Sequence, residues 1–161
     1  MINSDLELLK FNLKRFIEVC KKAQSQTTTK GLKLKEISGT FQGFKLHPNF
    51  GSGNLTKRPG LAFLKGNNTV SRGIYPIIVF IPESNEIIVC KGVSYDNKPP
   101  IQWAKIIEKD IPLEATQYND EKGKFSYLRS IYQLNDLDSD YTIMKIQNDI
   151  VSIIEDYPRG N

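Results

Sequence analysis

Residues 73–93, GIYPIIVFIPESNEIIVCKGV, contain two runs rich in β-branched and aromatic residues that are separated by the turn-like PESN. A third run of the same character, LAFLK (61–65), precedes them across the polar GNNTVSR. Three such runs joined by short turns predict an antiparallel meander. Because Pro76 cannot donate a backbone hydrogen bond, we expect its end of the second run to lie at a sheet edge or a bulge.

Apolar residues at helical spacing lie on both sides of this β-rich region. The first series predicts a helix that ends near residue 23, with Ser4 and Glu7 as an S-x-x-E capping box. It consists of Leu6, Leu9, Leu13, Phe16, Ile17 and Cys20. The second series predicts a closing amphipathic helix, capped by Asp138, Ser139 or Asp140. It consists of Ile143, Ile146, Ile150, Ile153, Ile154 and Tyr157.

Two further strands, at 44–47 and 125–134, complete the predicted architecture. The fold class is therefore α+β: a mostly antiparallel β-sheet flanked by N-terminal and C-terminal amphipathic helices. With 161 residues, 39% of them hydrophobic and 25% charged, we expect one globular domain over 1–161. We also expect a reduced, cytoplasmic protein without a membrane segment, because Cys20 and Cys90 make no disulfide framework and no apolar run is long enough to span a bilayer.

The charge is unevenly distributed along the chain. Residues 1–65 hold 12 Lys and Arg against 4 Asp and Glu, a balance of +8, whereas residues 66–161 hold 10 against 14, a balance of −4. A basic half of this kind is either a solvated surface with chance clustering or a surface that attracts phosphate backbones. Charge alone does not choose between the two.

The residues that usually carry catalysis are sparse. His47 stands on an alternating basic strand without a cysteine partner, and the G-x-G of Gly51 and Gly53 is followed by neither a P-loop lysine nor the third glycine of a dinucleotide site. The short acidic run at 136–140 is typical of helix capping. We therefore expect no catalytic residues, no metal site and no cofactor.

Five short motifs follow one another between residues 44 and 103. They are F-G-x-G-N (50–54), P-x-x-A-F-L (59–64), G-I-Y-P (73–76), G-V-S-x-x-N-x-P (92–99) and Q-W (102–103). In order and spacing this region resembles the N-terminal DNA-binding domain of McrB-type, modification-dependent restriction systems. With the flanking helices, the resemblance covers nearly the whole chain.

The resemblance implies a DNA reader that belongs to a larger machine for defence against phage. In that family the domain binds duplex DNA that contains a modified cytosine and flips the base into a pocket. A GTPase motor on the same chain and a partner nuclease subunit cut the DNA. The resemblance therefore implies that these 161 residues recognise DNA and that GTP hydrolysis and cleavage belong to other domains or subunits.

The loop FGSGNLTKRPG (50–60) is the first candidate for DNA contact. Glycines let backbone amides approach phosphates closely, and adjacent cations add charge where the duplex would lie. By family analogy the polar loop after the first helix lies beside it. The predicted DNA-binding residues are Gln26, Thr27, Lys30, Gly51, Ser52, Gly53, Asn54, Lys57, Arg58 and Arg72. The alternative is a long connection between two strands in which Asn and Gly only make turns.

The resemblance places a base pocket at Ser52, Gly60, Tyr75 and Val79. A family member with the full motif has a tyrosine at the first position and a tryptophan at the second, and both aromatics help to hold the base. Stacking on one aromatic face contributes roughly 1–3 kcal/mol per base, so this chain is expected to separate cytosine poorly from 5-methylcytosine. Either the emptier pocket admits a bulkier modified base, or the loop reads sequence and shape without flipping.

Two other classes of function fit the same residues. One is an RNA-binding or modified-nucleotide-binding module, which the basic half supports equally well. The other is a protein-interaction domain that recruits a partner through an edge of its sheet. Competition between RNA and duplex DNA for the protein distinguishes an RNA-binding module from a DNA reader. The salt dependence of binding distinguishes a protein-interaction domain from a DNA reader.

Overall fold

In the computed structural model, the described residues are 3–94, 102–103, 106–119 and 126–158, so Asn97 and Pro99 of the fourth motif lie outside them. These residues form two long helices and seven strands, with short 3-10 turns between some of them. The helices are α1 (Asn3–Ala23) and α2 (Asp140–Glu155). The strands are β1 (Thr40–Phe41), β2 (Phe44–Asn49), β3 (Gly60–Leu64), β4 (Ile74–Ile81), β5 (Glu86–Val93), β6 (Ile111–Pro112) and β7 (Tyr127–Gln133).

All seven strands belong to one sheet of order β1-β2-β3-β4-β5-β7-β6, and every neighbouring pair is antiparallel. The predicted α+β class is confirmed, and so is the meander of β3, β4 and β5. β4 pairs with β5 along its whole length, but its pairing with β3 ends at Ile77. Pro76 therefore lies where β4 pairs on one side only, as expected for a residue without an amide donor.

The two helices lie side by side and run in opposite directions. The Lys14 ammonium is 3.0 Å from the Asp140 carboxylate, and the Gln147 side chain donates to the Leu6 carbonyl at 2.8 Å. Ser139 caps α2 by accepting a hydrogen bond from the Thr142 amide, which confirms one of the three predicted caps. The capping box at Ser4 is wrong, because α1 already includes Asn3 and Ser4 lies inside the helix.

The central strands present two different faces, because successive side chains point to opposite sides of a sheet. One face packs against α1 and α2, and we call it the covered face. It carries large apolar side chains, and the burial of each stabilises the folded protein by about 1.5–3 kcal/mol. They are Leu61, Phe63, Ile74, Ile78, Phe80, Ile87 and Val89.

The opposite side of β3, β4 and β5 is called the open face here. It carries Gly60 and Ala62 on β3, the odd-numbered positions from Tyr75 to Ile81 on β4, and Ile88, Cys90 and Gly92 on β5. Leu113, Tyr118 and Leu128 pack against the Ile81, Ile88 and Cys90 part in a small second core. The remainder of this face is concave and borders the site described below.

A buried ion cluster joins the covered face to the end of α2. The Lys91 ammonium, fully buried on β5, is 2.6 Å from the Asp110 carboxylate and 3.1 Å from that of Asp156. The same ammonium lies over the Trp103 ring, 5.9 Å from its centroid. A charge that is shielded from water in this way is strongly destabilising unless it is paired. The ion pairs of the cluster therefore fix the segment around Asp110 and the end of α2 relative to β5.

The two cysteines are free and buried, as predicted, and burial raises the pKa of both thiols. Among the described residues, no helix has the length and apolar character needed to cross a membrane.

Candidate nucleic-acid interface

Two loops at one end of the sheet are hydrogen-bonded to each other. The Thr29 amide donates to the Gly53 carbonyl at 2.8 Å, and the Leu55 amide donates to the Thr27 carbonyl at 2.9 Å. Thr28 and Asn54 form an antiparallel bridge between these bonds. We call residues 24–32 and 50–58 the paired loops. The family resemblance predicted that these two loops lie beside each other, and in the structure they are hydrogen-bonded to each other.

The second of the paired loops is a tight turn on an aromatic anchor. Phe50 is buried and packs edge-on against Phe16 of α1, with ring centroids 5.7 Å apart. Gly51 has φ +101°, and a Cβ there would lie 2.2 Å from the Asn54 carbonyl oxygen, so only glycine fits. Gly53 also has a positive φ of +84° but faces open space. The turn is therefore fixed at its base and exposed at its tip.

Most of the predicted contact residues are exposed on the paired loops: Thr27, Lys30, Gly51, Ser52, Gly53, Asn54 and Lys57. Gln26 is half-buried, and its amide nitrogen donates to the carbonyls of Thr28 and Lys30 at 2.7 and 2.9 Å. Gln26 thus braces its own loop.

Arg72 is the predicted contact that the structure separates from the others. It is exposed in the turn before β4, whereas the paired loops lead into Gly60, which pairs with Val79 near the other end of that strand. At about 3.3 Å per residue, the two places are roughly 20 Å apart.

Ion pairs redistribute the charge that the sequence concentrates in the first half. Lys10 and Lys14 pair with Asp140 and Lys21 with Asp138, so the acidic second half neutralises much of α1. Arg58 is held by Glu83 at 2.7 Å. Lys30 and Lys57 make no ion pair with any residue in the described part of the chain. The cations without a carboxylate partner therefore include two on the paired loops.

A cavity of about 530 Å³ lies on the open face and reaches the paired loops at Thr56, Lys57 and Arg58. Three of the four predicted pocket residues line it: Gly60, Tyr75 and Val79. Ser52 is not among the lining residues and lies exposed at the tip of its loop. The walls that sequence reasoning missed include Ala62, Ile77, Ile88, Cys90, Gly92 and Tyr118.

Small residues on either side of β4 make room for this cavity. A Cβ at Gly92 would lie 2.9 Å from a ring carbon of Tyr75, so the Tyr75 ring lies against the bare backbone of β5. A Cβ at Gly60 would lie 3.0 Å from the Ile78 carbonyl oxygen. Ala62, which is buried and pairs with Ile77, has the smallest side chain that carries a Cβ. The sequence signal that could have indicated this cavity is the recurrence of small residues at alternate positions of β3 and β5.

Two tyrosines are held in place at the cavity wall. The Tyr75 hydroxyl donates to the Val70 carbonyl at 2.9 Å, and the Tyr118 hydroxyl donates to the Glu86 carboxylate at 2.7 Å. Hydrogen bonds from Ser84 and Tyr118 hold the pKa of Glu86 below its usual value. Burial, with the neighbouring carboxylate, raises the pKa of Tyr118. The hydrogen bonds of the two hydroxyls therefore fix the orientation of both rings.

No group of three or more His, Cys, Asp or Glu that could bind a metal ion occurs in the described ranges. The features that the structure assembles here are a rigid polar loop pair, cations at its edge and a concave, mostly apolar cavity beside it. Such a combination is suited to binding a ligand.

One curated protein with significant similarity is the EcoKMcrB subunit of the type IV methyl-directed restriction enzyme of Escherichia coli (strain K12). The two sequences are 30% identical over 106 residues, which is 66% of this chain and 21% of that subunit. The chain therefore matches about a fifth of the length of its curated relative, and the similarity supports a relationship to McrB. No family model matches the chain.

Proposed function

We propose that this chain is the DNA-recognition part of a modification-dependent restriction system. It binds duplex DNA with the paired loops and receives one flipped, modified base in the cavity on the open face. The observation that carries the proposal is that this cavity reaches the paired loops at Thr56, Lys57 and Arg58. A base turned out of a duplex bound there enters the cavity without crossing the rest of the domain.

The paired loops supply the contacts to the DNA backbone. Their exposed residues offer the backbone amide of Gly53, hydroxyls at Thr27 and Ser52, and ammonium groups at Lys30 and Lys57. Groups of these kinds make most protein–phosphate hydrogen bonds. Because the loops are braced by hydrogen bonds to each other, little conformational entropy is lost on binding.

The cavity supplies the energy that offsets flipping. Extruding a base costs a few kcal/mol, and stacking it on one aromatic ring returns roughly 1–3 kcal/mol. Tyr75 provides such a ring in a fixed orientation, and the side chains of Ile77 and Val79 provide apolar contact. The volume of about 530 Å³ lies in the range of small-molecule sites.

By analogy with the relative, DNA cleavage and GTP hydrolysis belong to other parts of the system. The 161 residues act as a reader without catalytic groups, in a cytoplasmic defence against phage. The partners proposed for the reader are a GTPase motor domain and a nuclease subunit.

Equilibrium titration of unmodified duplex DNA against salt tests the binding surface. We expect Lys57→Ala to weaken binding to every duplex by about threefold to tenfold and to flatten the slope of log K against log salt by about 1, because one phosphate contact is lost.

The matched control is Lys145→Ala, on α2 behind the covered face, where the lysine lies over the Tyr141 ring. It should leave both quantities unchanged. Equal effects of the two variants, or preference for an RNA competitor over duplex DNA, would reject the proposal.

A further inference from the structure

The cavity of about 530 Å³ extends along β4 from Tyr75 to Ile81. Resting on the proposed function, we propose that this site takes a base whose substituent is bulkier than a methyl group and ends in hydroxyl groups, such as a glycosylated 5-hydroxymethylcytosine. Ala62 is then the residue that sets the permitted size.

The length of the cavity is the first argument. All four open-face residues of β4 line it: Tyr75, Ile77, Val79 and Ile81. Strand residues advance by about 3.3 Å, so the lined stretch is roughly 20 Å long. A single base ring occupies the space over about two of these positions. The remaining length is available to a substituent.

The width of the cavity is the second argument. On the two strands beside β4, the positions that face the cavity are held by Gly60, Ala62 and Gly92. Large side chains occupy the covered face of the same strands, among them Leu61, Phe63 and Val89. The small residues are therefore confined to one side of the sheet. There Ile77 lies against the backbones of Gly60 and Gly92, and Tyr75 against that of Gly92, so that these two side chains line the cavity without filling it.

The chemistry of the walls is the third argument. The middle of the cavity is apolar, at Ile77, Val79, Ile88 and Cys90. Hydroxyl groups of Thr56 and Tyr118 lie towards the paired loops, and those of Ser71 and Ser126 towards the other end. Ser126 accepts a hydrogen bond from the Val93 amide at 3.0 Å, and its own hydroxyl proton is a donor for a ligand oxygen.

A methyl group gains little in such a space. Complete burial of one methylene-sized group corresponds to about a fourfold change in affinity, and the gain falls when the walls are out of contact. A sugar that reaches both the apolar walls and the terminal hydroxyls gains more. The site is therefore expected to rank substituents by size and hydroxyl content.

The test titrates the full chain against four duplexes of one sequence that differ at a single cytosine: unmodified, 5-methyl, 5-hydroxymethyl and glucosylated 5-hydroxymethyl. We expect the glucosylated duplex to bind at least tenfold more tightly than the unmodified one, and the 5-methyl duplex less than fourfold more tightly. Equal affinities for all four, or tightest binding of the 5-methyl duplex, overturn the inference while leaving DNA binding intact. Failure to bind any duplex overturns both the inference and the proposed function.

The variant Ala62→Leu fills the cavity from its floor. It should abolish the preference for the glucosylated duplex over the unmodified one, with an unchanged melting temperature. Ala115→Leu, at an exposed position outside the cavity lining, is the matched control and should keep the preference. If Ala62→Leu lowers the melting temperature, the smaller Ala62→Val replaces it. A preference that survives in a folded Ala62 variant rejects the assigned role of Ala62.

Discussion

The covered and open faces of the central sheet are built from the same three strands but carry opposite kinds of residue. On the covered face, Phe63, Ile78 and Phe80 fill the space beneath α1 and α2. On the open face, Gly60, Ala62 and Gly92 contribute no side chain or the smallest one, and they line the cavity. The large packed side chains of β3 are therefore concentrated on the covered face, whereas the open face combines a small second core with a cavity.

The same difference applies to charge. Lys91 on the covered face is buried among carboxylates and serves the fold, whereas Lys57 at the rim of the open face is exposed and without an ion pair in the part of the chain that is described. Substitutions of the same kind on the two sides should therefore affect different measurements.

The largest expected effect on stability comes from the buried lysine. Lys91→Met leaves Asp156 without its cation and Asp110 with only the Arg129 guanidinium, 3.6 Å away, in a largely buried environment. We therefore expect a loss of about 3–5 kcal/mol in the free energy of unfolding. Lys57→Met should change that free energy by less than about 0.5 kcal/mol. Urea denaturation measures both. Comparable losses in the two variants would mean that charge serves the same role on both faces.

Neighbouring isoleucines give the next comparison. Ile78 is buried beneath the helices, whereas Ile77 is half-buried and lines the cavity. We expect Ile78→Ala to cost about 2–5 kcal/mol, because it opens a cavity in a packed core. Ile77→Ala should cost less than half as much but weaken binding of the modified duplex. Chemical denaturation measures the stability of each variant, and DNA titration measures its affinity for the modified duplex. A larger loss of stability in Ile77→Ala than in Ile78→Ala would contradict the assignment of the two faces.

The two loop glycines give the smallest expected difference. Alanine at Gly51 or Gly53 enters the left-handed region at a cost of about 1–2 kcal/mol, but only at Gly51 does the new Cβ meet a carbonyl oxygen. Gly51→Ala should open the paired loops and speed hydrogen exchange at the Thr29 and Leu55 amides. Exchange at those amides in Gly53→Ala should stay near that of the parent, and equal acceleration in both variants would count against the rigid turn.

The elements of the fold were accessible from the sequence, because β-branched runs and helical spacing report on local structure directly. The strands at 61–65, 73–81 and 86–93 and both helices were predicted to within a few residues. The N-terminal cap of α1 was predicted wrongly, because a Ser-x-x-Glu pair also occurs inside helices, as Ser4 and Glu7 do here.

The candidate site was accessible only in part. Gly60, Ala62, Tyr75 and Gly92 all belong to recognisable motifs, but the place of Ala62 and Gly92 at the cavity follows only from the pairing of β3, β4 and β5 across the sheet. The charge pattern misled for a similar reason. Asp138 and Asp140 neutralise lysines of α1 that are distant in the chain, and only tertiary contact reveals it.

The two faces can be observed separately and directly by methyl NMR of the isoleucine-labelled chain during titration with a modified duplex. Ile77, Ile81 and Ile88 report on the open face, and Ile74, Ile78 and Ile87 on the covered face. We predict that the first three methyl signals shift together as the base enters the cavity and that the second three stay in place. Unchanged signals of Ile77, Ile81 and Ile88, or larger shifts on the covered face, would contradict the binding of a base on the open face.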